Sequence, residues 1–400
     1  MKQTDSCGAY VRRIRIVAAL LCVLAAGGAA LPAFSFAEPA PAVEKSPAAE
    51  RDTSYTGWVD AGGDPCGAAS AAGWVDAGVR ARSKFLYDPG TGEWYWAEAD
   101  GSIARDHDAL VPTDNSVAGS AWEQASAEWR SANGKWVHLG PTGAVQRGFL
   151  LLPDGDGLKW VFCDYVTGEM AHGERYIDDS HGDEPGWMYF DPVTGAADYG
   201  WAWIPSSGKW VYYDEVSGRM RYGSLMVGGR PYYLDPDTGE RLPRERVAAR
   251  LLAAASSQDG VTDGDRYQNA AIQAGSSFNS FGPCTAFVYW CFQEAGLHYQ
   301  FMDGGATTWP HELCDWYTAR GRMLPRASRP QPGDLWIDNY PATRPFPSAS
   351  ATHSGIVDHV SANGRTVYVW EHVNGYVHLC AERYDLWYLT GYAQPYYNEM

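Results

Sequence analysis

The sequence predicts a multidomain chain, an N-terminal solenoid of β-hairpin repeats followed by a C-terminal α+β domain, and three observations predict it. From Tyr55 to Leu242 an aromatic strand, a tight turn and a glycine recur. At Pro243 the turns stop and apolar residues fall at helical spacing. Further on, a cysteine opens an apolar helix and a histidine opens a strand.

In chain order, residues 1–37 come first. They carry Arg12, Arg13 and Arg15, an apolar run from Ile16 to about Leu31, and the small-x-small triplet Ser35-Phe36-Ala37. This is the pattern of a secretory signal peptide, whose removal leaves no stable membrane anchor; an uncut signal anchor is the competing reading. Residues 38–54, rich in Pro and Ala, lack a hydrophobic period and read as an extended linker. The formal charge of −17 argues against a general nucleic-acid binder. Beyond the leader six cysteines remain, too few for a disulfide scaffold in this length, although export permits bridges and Cys314 with Cys380 is one conceivable pair.

Residues 55–242 hold the repeats. Clear copies are Trp160-Val-Phe-Cys-Asp-Tyr-Val-Thr-Gly168, Trp187-Met-Tyr-Phe-Asp-Pro-Val-Thr-Gly195 and Trp210-Val-Tyr-Tyr-Asp-Glu-Val-Ser-Gly218. The turn glycines Gly168, Gly195, Gly218 and Gly239 are 27, 23 and 21 residues apart, a repeat period. In Asp-Pro-x-Thr-Gly the carboxylate accepts backbone N–H bonds, Pro presets φ, and Gly takes the left-handed position, so each unit is expected to be a hairpin that turns there. Stacked hairpins would bury aromatics between neighbours, and 12 of the 18 tryptophans lie in this region. The units resemble the choline-binding and glucan-binding family of cell-wall repeats. The resemblance implies aromatic cages that hold a quaternary ammonium or contact a wall glycan, with Trp160, Trp187, Trp201, Trp210 and Tyr212 as candidate ligand residues. The alternative is that these rings form the stacking core.

Residues 243–400 form the second domain. Val247, Leu251 and Leu252 fall on one helical face, and Asp259 to Asp265 reads as a polar loop in preference to a calcium loop. Gly282-Pro283-Cys284 then opens a helix that runs to a glycine at position 296. A thiol at a helix N-terminus meets unpaired N–H groups and the positive end of the macrodipole, which favour the thiolate. His353 opens a strand, and the next strand, beyond Ser361-Ala-Asn-Gly364, ends near Glu371. Such an order suits acyl transfer, with Cys284 attacking an amide carbonyl and His353 moving the proton. The group that orients the imidazole depends on hairpin register. A two- or four-residue loop puts His372 or Asn374 on the face of His353, whereas a three- or five-residue loop, or one bulge, selects Glu371.

Pro-Cys-Thr-Ala-Phe-Val-Tyr-Trp-Cys, Pro332-Gly-Asp-Leu-Trp336, His353-Ser-Gly-Ile-Val357 and Gly391-Tyr-Ala-Gln-Pro395 together resemble a CHAP domain. The resemblance implies a papain-like cysteine amidohydrolase or peptidase acting on peptidoglycan, with Cys284 as nucleophile, His353 as base and Glu371 as orienter. It also implies a nearby asparagine, here Asn374, although the family commonly has Glu-x-Asn and this chain has one residue more between them. Cys291 reads as packing, and no histidine pair has zinc spacing.

The expectation is a secreted, wall-associated hydrolase needing no cofactor, with peptidoglycan and a wall polymer or glycan as partners. The alternatives are a wall-bound adhesin whose CHAP-like domain does not cut, and an extracellular cysteine protease.

Overall fold

The computed structural model describes residues 54–280, 282–339, 351–383, 386 and 388–398. The leader and all but the last residue of the linker lie outside the described residues. Among the described residues no helix is long and apolar enough to cross a membrane.

Behind a three-stranded sheet at 57–80, six two-stranded hairpins follow at 84–97, 107–139, 148–163, 173–190, 200–213 and 223–234. The hairpin at 107–139 alone carries short helices between its strands, Ser120–Gln124 and Ala127–Asn133. Alternation along each strand turns one row of side chains inward. Val161, Met188 and Val211 are buried, while their sequence neighbours Trp160, Trp187 and Trp210 point out.

The Asp-x-x-Thr/Ser-Gly turns form as their chemistry requires. Asp191 Oδ1 accepts from the N–H groups of Val193 at 2.9 Å and Thr194 at 2.7 Å, and Gly195 has φ +67°. Their place in the repeat differs from the expected one. The turn at Asp88 to Gly92 lies inside its hairpin, but at 164–168, 191–195, 214–218 and 235–239 it follows the second strand. Between Gly168 and Gly173, both at positive φ, the chain is too short to pair as a strand; it makes two isolated bridges, Glu169 to Val137 and Met170 to Cys163, and then enters the next hairpin. The turn therefore links hairpins. Its glycine also seats on the previous unit, since a Cβ at Gly195 would lie 2.6 Å from Met170 Sδ. Gly195→Ala should cost about 2 kcal/mol from the left-handed backbone alone, read as a lowered unfolding midpoint in a thermal melt.

In the C-terminal part the helices are α1 (Arg244–Ser256), α2 (Gly264–Gln273), α3 (Cys284–Glu294) and α4 (Pro310–Ala319). The strands are β1 (Met323–Pro325), β2 (Leu335–Asp338), β3 (His353–Val360), β4 (Thr366–Val373), β5 (Tyr376–Arg383) and β6 (Leu389–Ala393), in an antiparallel sheet of order β1-β6-β2-β3-β4-β5. Helix α3 is apolar almost all round and is accordingly buried. Phe287, Val288, Cys291 and Phe292 have no exposure and share a core with Leu335, Ile356 and Trp370 of the sheet. Burying each such large side chain contributes about 1.5–3 kcal/mol. The opposite sheet face carries Trp336, Val357, Val367, Val369 and Tyr392, also fully buried.

The last hairpin is part of this core. Tyr233 and Leu242, each 2% exposed, pack with the α1 and α3 side chains. The Asn398 amide closes the junction, accepting from the Tyr233 N–H and donating to the Tyr233 and Leu242 carbonyls, each at 2.6 Å. The change of texture read at 242/243 thus falls inside a shared core. All six described cysteines are free thiols, so the conceivable Cys314–Cys380 bridge is not formed; one thiol is buried on α4 and the other stands on β5.

Candidate active site

Cys284 is the first residue of α3, with Pro283 as N-cap. Its first turn is fixed to the sheet by Thr285, whose buried hydroxyl lies 2.8 Å from Ser354 Oγ at the start of β3. That contact brings His353, the preceding residue, to the thiol. The imidazole is hydrogen-bonded to Cys284 on one side and through Nε2 to Glu371 Oε2 on the other, which leaves Nδ1 for the sulfur.

Register selects Glu371. Val360 and His359 of β3 face Val367 and Tyr368 of β4, but Val357 and Ile356 face Val369 and Trp370, so the pairing slips by one residue at Asp358. This bulge is held by Trp370 Nε1 donating to Asp358 Oδ2 at 2.8 Å. With the slip, Glu371 shares the sheet face of His353. His372 turns to the other face, beside Tyr267 and near the space above Gly264 and Pro283. Asn374 is not brought to the site: it is an exposed turn residue at φ +52° between β4 and β5, displaced because the strand continues through His372 and Val373.

Burial opposes ionisation of the Cys284 thiol. The positive imidazole, its hydrogen bond, the Ser354 N–H and the Thr285 hydroxyl outweigh it and hold the thiol below its ordinary value. His353 is raised well above the usual imidazole range. Burial again works against the charge, and the sulfur and Glu371 overcome it. The two shifts describe a thiolate–imidazolium pair. The other shifted thiols move the opposite way, with burial first among the causes: Cys163 is pushed up to about 12, and Cys291, Cys314 and Cys380 are raised as well.

Two neighbours of Glu371 had no signal in the sequence. Cys380 and Glu382 on β5 place their donor atoms within 4.8 Å of each other and of Glu371. Burial, then the charges of Glu371 and Asp338, push the Glu382 carboxyl up to about 7. An alternating strand sets such residues on one face, but only the fold says which face meets the imidazole.

Of the candidate ligand residues, Trp160, Trp187 and Trp210 are 45%, 41% and 46% exposed, outside the stacking core. Trp187 and Trp210 lie against Tyr176 and Trp203 across their hairpins, with ring centroids 5.6 and 5.7 Å apart. Trp201 is half-buried, and Tyr212 is buried at 7% with its hydroxyl donating to Glu215. A separate cavity of about 360 Å³ opens among the repeats, lined by Phe85, Trp94, Asn115, Lys135 and Arg147, and shares no residue with the Cys284 site.

With this geometry in hand, residues 274–372 match the model of the CHAP domain. Residues 199–244 match that of the choline-binding repeat. The chain therefore carries a CHAP domain preceded by choline-binding-type repeats. No curated protein matches the chain. Solved structures that resemble it include choline binding protein F from Streptococcus pneumoniae with a peptidoglycan analogue, at 21% identity and TM-score 0.31, covering 47% of this chain and 52% of that one. The modular autolysin LytC from Streptococcus pneumoniae is another, at 17% identity and TM-score 0.22, covering 43% and 36%. The chain thus spans about half or less of the length of these structures.

Proposed function

We propose that the protein is a secreted bacterial cell-wall hydrolase that cleaves amide bonds of peptidoglycan by a papain-like Cys–His mechanism while its repeats hold it on the wall. The reading is carried by the Cys284–His353–Glu371 arrangement, in a chain that also has choline-binding repeats. The Cys284 thiolate attacks the amide carbonyl and forms a C–S bond. The oxyanion is met by the Cys284 N–H at the start of α3, since Pro283 has none to give. His353 Nδ1–H protonates the leaving amine as the C–N bond breaks. Water, deprotonated by His353, then hydrolyses the thioester and the thiolate departs. Glu371 keeps the ring oriented throughout and stabilises it each time it carries the proton. The bond is the muramoyl–alanine amide or a peptide bond of the stem or cross-bridge.

The test is incubation with purified peptidoglycan, measuring newly exposed amines while sedimenting the wall. Amine release with wall binding supports the reading, and fragment masses name the bond. Binding without release sinks the hydrolase and leaves an adhesin.

Close packing at Gly355 sets the His353–Glu371 approach. A Cβ there would lie 2.6 Å from Val369 Cγ1, 2.8 Å from the Trp370 carbonyl oxygen and 3.1 Å from Glu371 Cβ. Gly355→Ala should push β4 away and lower kcat roughly tenfold, seen in amine-release kinetics on protein whose circular dichroism is unchanged.

A further inference from the structure

The last repeats enclose an aromatic cage that is already filled. Trp201 meets Tyr232 edge-on, with ring centroids 4.8 Å apart at 65°, and Tyr212 at 5.1 Å and 68°. Against Trp201 and Tyr232 together sits the guanidinium of Arg241, its Cζ 5.5 Å from the Trp201 ring centroid and 5.3 Å from that of Tyr232. Both distances are within the range at which a cation is held by an aromatic face. Lys135 and Arg219 each lie over a single ring, Phe85 and Phe149.

Position in the repeat sharpens the point. After each turn one residue bridges back to the end of the hairpin: Met170 to Cys163, Ala197 to Phe190, Met220 to Tyr213 and Arg241 to Leu234. Arg241 thus stands where the three earlier copies have methionine, alanine and methionine. It is also anchored from outside the cage, donating through Nη2 to the Asn398 carbonyl at 2.6 Å, and Asn398 is itself bound to Tyr233 and Leu242. A ligand entering here would have to displace a cation held by two rings and a charged hydrogen bond.

We propose that this cage is a site for a cation which the chain supplies itself, Arg241, and that it is thereby closed to a quaternary ammonium and works as a clasp between the last repeat and the C-terminus. The inference rests on the wall-binding half of the function proposed above and is independent of catalysis.

The experiment is calorimetric titration of the full chain with choline chloride. Wild type and Trp201→Ala are expected to give the same isotherm, because the ring offers no open site. Arg241→Met should add one saturable site, lost again in the Arg241→Met/Trp201→Ala double variant. The proposal is overturned if Trp201→Ala lowers choline binding by wild type, or if Arg241→Met, folded by circular dichroism, gains no site. Should Arg241→Met not fold, the comparison of wild type with Trp201→Ala decides alone. Wall sedimentation of wild type is scored separately: its failure removes the wall-binding reading without changing the choline result.

Discussion

Replacing Cys284 by alanine should reduce amine release from peptidoglycan by about 10⁶-fold, the scale at which a nucleophile removed from a coupled catalytic unit is lost. The side chain is 6% exposed and packed at the first turn of α3, so the change deletes one sulfur and leaves Thr285 bonded to Ser354. The variant should therefore sediment with the wall as wild type does. Cys284→Ser should be nearly as inactive. An imidazole that holds a thiolate cannot hold an alkoxide, whose conjugate acid is far weaker than a thiol. Activity of Cys284→Ala within tenfold of wild type would remove the nucleophile from the proposed mechanism.

Glu371→Gln should lose about a hundredfold in kcat/KM, in the range of a positioned acid–base partner, and should narrow the pH profile from its alkaline side. The signs follow from the shifts. Cys284 is held below its ordinary value, so the acid limb of activity lies below that of a free thiol. His353 is raised, so the imidazolium that protonates the leaving amine persists above the usual imidazole range and sets the alkaline limb. Glutamine keeps a hydrogen-bonding side chain but removes the negative charge. The His353 proton is then lost at lower pH and the alkaline limb moves down. At the acid limb the imidazolium is fully charged in either protein, and the groups that lower Cys284 are His353, Ser354 and Thr285, so that limb stays in place. A rate profile measured from acid to alkaline pH checks both; an unchanged profile would show that Glu371 does not govern the imidazole.

Much of this site was legible in the sequence. Gly282-Pro283-Cys284 ahead of an apolar run marks a helix start whatever surrounds it, and His353 before Gly-Ile-Val marks a strand. The orienter was not decided by the sequence, because it hangs on one unpaired residue. Asp358 is an ordinary strand-edge aspartate until the Trp370 indole, twelve positions on, donates to it and fixes the slip. For the same reason Asn374 looked close in sequence and lies on an exposed turn. In the repeats, Asp-x-x-Thr-Gly named the turn chemistry correctly. Whether the turn closes a hairpin or joins two depends on how many residues follow before the next positive-φ glycine, a matter of spacing that the motif does not contain.

The shared core of Tyr233, Leu242 and the α3 side chains changes what attachment to a polymer means mechanically. A flexible leash lets an enzyme sweep a volume and cut anything inside it. Here the last hairpin shares its core with the C-terminal helices, so under the proposed function a wall strand held by the repeats would meet the thiol at an offset and orientation that the fold sets. On that proposal the enzyme would work like a jig, choosing among chemically identical bonds by where they lie relative to the point of grip.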